Sequence, residues 1–260
     1  MRIASVLTGL AALSLPVTEA AAQLVGTFRL RPGLGAKIQP EYPGAQSHEW
    51  AAYPTFSIAR DDRPFGFGAA DDSFGISLLS QGKFSAGPAL AIEGSRKESE
   101  VGALVGTVGT TVEAGAFAQV YATDSLRLRT ELRRGIGGHD GWVGHAAADQ
   151  IWRDGDHYLF SIGPRLVFSD ARYQRAYFGV TPQASLASGL PVHRPSGGLH
   201  AVAVSSSMNL AVGGGWGLFG FARYERLVGD ARRSPIVSEL GSPNQVSAGI
   251  GVSRTFTIRL

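Results

Sequence analysis

Residues 244–256 read Asn-Gln-Val-Ser-Ala-Gly-Ile-Gly-Val-Ser-Arg-Thr-Phe, and apolar and polar side chains alternate along this stretch. One face carries an apolar row from Val246 to Phe256 that only Arg254 interrupts, and the other carries serine, threonine and glycine. A period of two residues indicates a β-strand with two different faces. An alternating segment of about ten residues that ends on an aromatic residue is typical of the closing strand of a transmembrane β-barrel. We therefore expect this strand to pair with the first strand of the chain, although Ile258 and Leu260 continue the alternation and leave its end open.

The N-terminus indicates export. Residues 1–22 have the pattern of a cleavable secretory signal, with Arg2 at the start, a mostly apolar run and a small-residue cleavage site at 20–22. No other run approaches the roughly 20 apolar residues of a membrane helix. Because the chain has no cysteine, a lipid-anchor cysteine, disulfides and thiolate metal sites are excluded. The sequence thus predicts a signal peptide at 1–22 and one barrel domain at 23–260.

The composition fits a folded β-protein and gives no sign of nucleic-acid binding. The 35 glycines among 260 residues follow no fixed period and are spread through the candidate strands, where glycine lets a strand bend. The formal net charge is +3, and the arginines are dispersed along the chain. A nucleic-acid-binding surface normally needs clustered cations, so no nucleic-acid partner is expected.

The two-residue alternation recurs along the whole chain. Segment 64–80 could hold two short strands around Asp71-Asp72 or one strand with a bulge there, and the two-strand choice gives thirteen strands. A bacterial barrel of a single chain has an even number of strands, so we merge 64–80 into one strand. The prediction is an all-β, antiparallel, up-and-down transmembrane barrel of about 12 strands (10–14). Its strands are 26–36, 49–59, 64–80, 83–93, 111–121, 125–133, 142–152, 157–168, 177–181, 199–212, 216–228 and 244–256.

This strand order assigns the loops and the two faces. The segments 38–48, 182–198 and 229–243 are expected on the extracellular side, whereas 94–109 becomes a long periplasmic connection. In segment 125–133 the leucines are expected to face lipid and the arginines the lumen. Leu128→Arg is therefore expected to be costly and Arg129→Leu mild.

Charged residues on the predicted inner faces form a candidate lumen cluster. They could line a positive pore for small anions, or pair into an ion network that fills the barrel. The presence of acidic partners favours the filled interior. The cluster comprises Arg29, Arg31, Glu113, Arg127, Arg129, Glu131, Arg133 and Arg165.

The sequence offers no clear catalytic arrangement. His200 and Ser205 would face opposite sides of one strand, and Ser206 lies too far along it. Adjacent carboxylates in Asp61-Asp62 and Asp71-Asp72 are expected to point apart. Loops could still bring His193 or His200 to Asp230 or Glu239. We predict a protein that is not an enzyme and that has no cofactor.

One cluster of potential metal ligands lies near a predicted turn. It consists of His139, Asp140, His145 and Asp149. The spacing is not specific for a metal, and a polar turn followed by lumen-facing residues explains the pattern. No metal site is therefore predicted there.

Several short motifs resemble those of the MipA/OmpV family, and their order and spacing carry the resemblance over nearly the whole mature chain. The family usually stops at the terminal aromatic residue, whereas this chain continues for four residues beyond Phe256. The motifs are Pro40-Glu41-Tyr42-Pro43-Gly44, Tyr177-Phe178-Gly179-Val180, Ser188-Gly189, Arg226-Leu227, Gly229-Asp230-Ala231, Ser234-Pro235-Ile236-Val237 and the glycine-rich strand that ends in Phe256.

The resemblance implies a β-barrel in the outer membrane, in contact with outer-membrane lipid. For some members it implies a scaffold that brings a murein-cleaving lytic transglycosylase together with a murein synthase. Other members are known simply as outer-membrane or osmotically regulated proteins. The expected function is thus a structural scaffold, and the alternative is a narrow channel for small solutes.

Overall fold

The computed structural model describes residues 26–259. The signal peptide predicted at 1–22 lies outside the described residues, as does Leu260, so the division into 1–22 and 23–260 remains a prediction. The strands are β1 Thr27–Pro40, β2 His48–Arg60, β3 Phe74–Gly75, β4 Leu79–Gln81, β5 Phe84–Glu93, β6 Thr111–Tyr121, β7 Leu126–Ile136, β8 Trp142–Asp154, β9 Tyr158–Ser169, β10 Gly198–Gly213, β11 Trp216–Leu227, β12 Asn244–Arg254 and β13 Phe256–Arg259. The helices are α1 Glu98–Val101, α2 Ala171–Phe178, α3 Pro182–Ser188, α4 Gly229–Arg233 and α5 Pro235–Ser238.

All strands of residues 26–259 belong to one antiparallel sheet, which confirms the predicted fold class. Thirteen strand segments occupy eleven positions, because β3 and β4 both pair with β5, while β12 and β13 both pair with β1. The sheet curls into an incomplete barrel whose edges are β2 on one side and β3 with β4 on the other. Among the described residues no hydrogen-bonded ladder joins these two edges.

The last strand pairs with the first, as its alternation predicts. β12 pairs with β1 from Gly33↔Ser253 to Ile38↔Ala248, and β13 extends the pairing to Thr27↔Arg259. The strand therefore continues past Phe256, with one interruption at Thr255, whose backbone N–H donates to the carbonyl of Gly215 at 2.7 Å.

The alternation of β7 separates an outer apolar face from an inner charged face. Leu128 and Leu132 are exposed on the outer surface, whereas Arg127 and Arg129 are buried inside. Apolar residues on the outside and charged residues on the inside reverse the arrangement of a soluble sandwich, as expected for a barrel in lipid.

Segment 64–80 is not one strand of the wall, so that prediction was wrong. Residues 64–73 run through the interior, where Phe65 is 2% exposed, and only 74–81 return along β5 as β3 and β4. The physical reason is electrostatic, because Asp71 and Asp72 meet arginines inside the barrel. We call residues 64–73 the inner segment.

The inner segment changes the side on which the following loops lie. The turns at 61–63 and 82–83 lie at the same end as Thr27 and Arg259, which we call the termini end. The predicted periplasmic position of 94–109 was therefore wrong. This segment lies at the opposite, loop end, where the hydroxyl of Tyr177 donates to the carbonyl of Gly94 at 3.2 Å.

The prediction of a strand at 177–181 was also wrong, because two helices occupy this region. α2 begins after Asp170, whose carboxylate accepts hydrogen bonds from the backbone N–H groups of Arg172 and Tyr173. α3 begins after Thr181, with Pro182 in its first turn. Val180, between the helices, makes an isolated bridge with His193. Among the described residues, none of the helices has the length and apolar content needed to span a bilayer.

Asp170→Ala is expected to cost about 1 kcal/mol, because it leaves two backbone N–H groups at the start of α2 without their acceptor. Hydrogen exchange of the α2 amides would measure the loss. Asp170→Ser should retain most of the protection, since serine is also a good N-cap. Equal loss in both variants would contradict the capping role.

Candidate functional site

The centre of the interior is an ion network built from neighbouring strands. Arg127 of β7 and Arg165 of β9 both donate to the carboxylate of Asp149 on β8, with N···O distances of 2.6 and 2.7 Å. All three side chains are at most 1% exposed. Buried charges of this kind are stable only when each is paired, so the three residues depend on one another.

The inner segment is held in this network by two adjacent carboxylates. Asp72 accepts from Arg127 at 2.6 Å. Asp71 accepts from Arg165 at 2.9 Å and from Arg223 of β11 at 2.6 Å. Because the three arginines come from β7, β9 and β11, the inner segment is fixed across the middle of the barrel.

A second group of ion pairs lies beside the first. Arg133 donates to Glu113 at 2.9 Å and also to Glu131. His139 contacts Glu113 through Nε2 at 3.0 Å. The hydroxyl of Ser73 in the inner segment donates to Glu131 at 2.6 Å. The segment is thus bonded to the wall at three consecutive residues, 71 to 73.

The remaining predicted lumen residues lie apart, at the termini end. Arg29 donates to Asp156 at 2.7 Å. The guanidinium group of Arg31 lies 4.2 Å from the ring centroid of Phe65 in the inner segment. The eight predicted residues therefore face the interior in two groups, with Arg29 and Arg31 in one and the other six in the second.

Sequence reasoning missed several members of the network. Asp71 and Asp72 point apart, as expected, but each turns toward a different arginine. Glu225 pairs with Arg223, which the sequence pattern had not singled out. The available signal was the pair Asp71-Asp72 itself, because two adjacent carboxylates in a wall strand would place one of them on the lipid face.

Cavities lie on both sides of the inner segment within residues 26–259. A cavity of about 410 Å³ lies at the loop end and is lined by Glu93, Glu225, His145 and His200 among others. Cavities of about 490 and 360 Å³ lie toward the termini end, lined by Arg129 and by Arg29 respectively. The inner segment borders all three cavities, the third of them through Phe65.

The loop end is covered by a packed cap, which we define as residues 41–47, 94–110, 170–197 and 228–243. Most of the short motifs that carry the family resemblance lie in it, and about half of their residues are buried. Ser234 donates through its hydroxyl to the carbonyl of Phe178 at 2.7 Å. Gly44 has φ +96°, and a Cβ there would lie 2.8 Å from Val237 Cγ2, so this position requires glycine. The buried apolar residues of the cap include Tyr42, Val101, Val105, Tyr173, Tyr177, Phe178, Val180, Leu190, Ala231, Ile236 and Val237.

Polar contacts tie the cap segments together. The buried guanidinium group of Arg96 donates to the carbonyls of Tyr177 and Gly106, and its burial lowers the pKa of Arg96. Burial raises the pKa of Tyr177 and that of Tyr173. The hydroxyl of Ser196 donates to Asp230 at 2.6 Å and lowers the pKa of Asp230 to about 2.

The other motif residues lie at the edges of the cap or in the last strand. Glu41 accepts a hydrogen bond from the Ser47 hydroxyl at 2.6 Å. Gly189 ends α3 with φ +79°. Pro40 ends β1, Pro235 begins α5, and Phe256 begins β13. The short motifs therefore belong mainly to the cap and less to the wall of the barrel.

The catalytic candidates are not brought together. The ring nitrogen Nδ1 of His200 forms a hydrogen bond with the hydroxyl of Ser169 at 2.8 Å. Among the described residues, His200 has no hydrogen bond to Ser205 or Ser206. His193 contacts the backbone carbonyl of Asp230 at 3.0 Å, not its carboxylate. Among the described residues neither histidine has a hydrogen bond to the carboxylate of Asp230 or Glu239.

The predicted turn cluster is dispersed as well. His139 contacts Glu113, and Asp140 accepts from the backbone N–H of Gly137 at 3.1 Å. Asp149 is fully engaged by two arginines. His145 lies instead near Asp72 and Glu131.

A family model described as MltA-interacting protein MipA matches residues 33–256. No curated protein sequence matches the chain. Among solved structures, the NanC porin has 11% identity and a TM-score of 0.39, covering 87% of this chain and 98% of that one. The KdgM porin has 10% identity and a TM-score of 0.36, covering 88% and 99%. An outer-membrane channel from Pseudomonas putida F1 has 7% identity and a TM-score of 0.42, covering 90% and 96%. Likeness at this level assigns no function.

Proposed function

This chain belongs to the MltA-interacting protein MipA family, and from that premise we propose that it is an outer-membrane β-barrel scaffold that brings a murein-cleaving lytic transglycosylase together with a murein synthase. The observation that carries the proposal is the filled interior. A channel needs a continuous open lumen. Here the inner segment crosses the middle of the barrel and is held by Arg127, Arg165 and Arg223. If the interior is filled, the surfaces of the barrel are the parts that can act on other molecules.

Contact with outer-membrane lipid is supported by the outer face. Exposed tryptophans lie near both ends of the strands, Trp50 and Trp142 at the loop end and Trp152 and Trp216 at the termini end. Aromatic girdles of this kind are typical of the two membrane interfaces of a transmembrane barrel. The guanidinium group of Arg254 lies 4.8 Å from the ring centroid of Trp216, where a cation can reach the polar interface.

The partner surface of this scaffold is the set of short turns at the termini end, 61–63, 82–83, 122–125, 155–157 and 213–215. In an outer-membrane barrel with both termini in the periplasm, these turns face the murein. Asp62 and Asp124 are exposed there, with side-chain exposures of 73% and 96%. The short motifs lie mostly in the cap at the other end of the barrel, so they are not available to a periplasmic partner.

Binding of a purified lytic transglycosylase to the protein in liposomes tests the scaffold. Asp62→Lys combined with Asp124→Lys is expected to weaken binding roughly threefold to tenfold, mainly through slower association, because charges at an interface rim steer encounter. Glu239→Lys, at the exposed end of α5, is the matched control and should bind as the unchanged protein does. Absence of binding, or a loss confined to Glu239→Lys, would contradict the proposal.

The alternative is a narrow channel for small solutes, and the chain of cavities favours it. Ala70 and Asp72 line both the cavity of about 410 Å³ and the one of about 490 Å³. Asn209 and Ser253 line both the latter and the cavity of about 360 Å³. Displacement of the inner segment would therefore join spaces that it now separates.

Planar-bilayer conductance distinguishes the two functions. The unchanged protein is expected to be silent, whereas Asp71→Asn combined with Asp72→Asn should give transient openings, because the amides cannot hold the arginines as ion pairs. Asp61→Asn with Asp62→Asn makes the same charge change at an exposed turn and should stay silent. Steady single-channel steps from the unchanged protein would favour the channel and contradict the closed interior.

A further inference from the structure

The central and loop-end part of the interior contains more carboxylates than guanidinium groups. Lys37, Glu41 and Glu49 also line the cavity there and add one further carboxylate to the excess. The backbone of Glu93 pairs with Thr111, but its carboxylate has no hydrogen bond or salt bridge among the described residues. The cationic excess of Arg29, Arg31 and Arg153 over Asp156 lies at the other end of the barrel. The seven carboxylates belong to Asp71, Asp72, Glu93, Glu113, Glu131, Asp149 and Glu225, and the five guanidinium groups to Arg127, Arg129, Arg133, Arg165 and Arg223.

Buried charge must be compensated, because removing an ion from water without a partner is costly. This part of the interior therefore has room for at least two further positive charges. A divalent cation would supply two at one place.

Three potential ligands meet in this region. Asp72 of the inner segment, Glu131 of β7 and His145 of β8 each offer one atom, and these atoms lie within 4.8 Å of one another. Glu131 and His145 are cross-strand partners in the sheet. His145 is 9% exposed, and its Nε2 atom is buried with no hydrogen-bond partner among the described residues. A buried ring nitrogen without a partner needs a reason, and a metal ion provides one.

We propose that Asp72, Glu131 and His145 form a binding site for a divalent transition-metal ion such as Zn²⁺. An imidazole nitrogen and two carboxylates are a donor set that suits Zn²⁺, whereas Ca²⁺ and Mg²⁺ prefer oxygen alone. Ligand atoms of a tetrahedral zinc site lie about 3.4 Å apart, so small side-chain rotations would complete the geometry.

The surroundings fit a metal site in two further respects. Arg127 donates to Asp72, and Arg133 donates to Glu131, so both carboxylates are already oriented by outer hydrogen bonds, as metal-ligating carboxylates commonly are. The cavity of about 410 Å³ is lined by Asp72 and His145 and has room for water as a further ligand. The ion would join the inner segment to β7 and β8. The inference holds for a scaffold and for a channel alike.

Titration of Zn²⁺ into the metal-free protein in detergent tests the site. The unchanged protein is expected to bind one ion per chain with a rise in Tm, because an ion that binds only the folded state stabilises it. His145→Gln should lose at least about tenfold in affinity together with the rise in Tm. His157→Gln and His48→Gln remove exposed histidines and are the matched controls, expected to bind as the unchanged protein does.

Equal affinity in His145→Gln and in the unchanged protein, or no stoichiometric binding, would overturn the proposal. X-ray absorption on the zinc-loaded unchanged protein provides a test that does not depend on how the variants fold. One imidazole and otherwise oxygen ligands is the expected result. Two or more imidazoles would place the ion at other histidines and would also overturn it.

Discussion

Arg127→Ala is expected to destabilise the folded protein by about 3–5 kcal/mol, because it removes the buried cation that Asp72 and Asp149 share and leaves Asp149 with Arg165 alone. Arg127 is fully buried and donates to both Asp72 and Asp149 at 2.6 Å. Its guanidinium group also lies 4.4 Å from the ring centroid of Phe67, so the inner segment loses a second contact. Equilibrium unfolding by urea in detergent micelles or liposomes would measure the change.

Arg134→Ala is the matched control, since Arg134 lies on the same strand but is exposed on the outer face. Its contact is with the ring of Trp142, 5.8 Å from the centroid. Removing an exposed cation of this kind usually costs about 0–1 kcal/mol. Similar losses in the two variants would mean that the interior ion pairs do not stabilise the barrel.

The wall of the barrel could be predicted from the sequence because lipid and lumen make opposite demands on neighbouring residues. In β7 the period of two places leucines outside and arginines inside, and in β12 it identifies the strand that pairs with β1. Both are local properties of the chain. The fold class followed from them directly.

The inner segment could not be predicted, because its position depends on contacts between residues far apart in sequence. Asp71 pairs with Arg223, which is 152 residues away in sequence. A pattern of neighbouring residues contains no information about such a pair. The nearby Phe65-Gly66-Phe67 alternates like a strand and favoured a position in the wall. Because this segment was placed in the wall, 94–109 was then assigned to the wrong end of the barrel.

The helices of the cap were not predicted, for a different reason. Its helices are short, the longest being the eight residues Ala171–Phe178, and helices of this length depend on tertiary packing. Tyr177-Phe178-Gly179-Val180 contains aromatic and β-branched residues, which favoured a strand. Asp170 as a helix N-cap was the signal that could have found α2.

Leu132→Arg is expected to cost about 2–4 kcal/mol of stability in a lipid bilayer, because it places a charge on the lipid face near the middle of a strand. The strand bounds Leu126–Ile136 put Leu132 beside the midpoint, and its side chain is 55% exposed. The sequence alone had directed attention to Leu128, which lies closer to the termini end. Folding into liposomes, followed by urea unfolding, would measure the loss.

Ile136→Arg supplies the control, since Ile136 ends the same outer row at the loop end and is 65% exposed. Near the interface the penalty for arginine falls to about 0–1 kcal/mol, because the guanidinium group can reach water and headgroups. Arg129→Leu, expected from sequence to be mild, is unsuitable as a control, because Arg129 bonds Glu131 and Gln119 inside the barrel. A cost that does not differ between positions 132 and 136 would mean that β7 does not cross the hydrocarbon layer, and the outer face would then need another explanation.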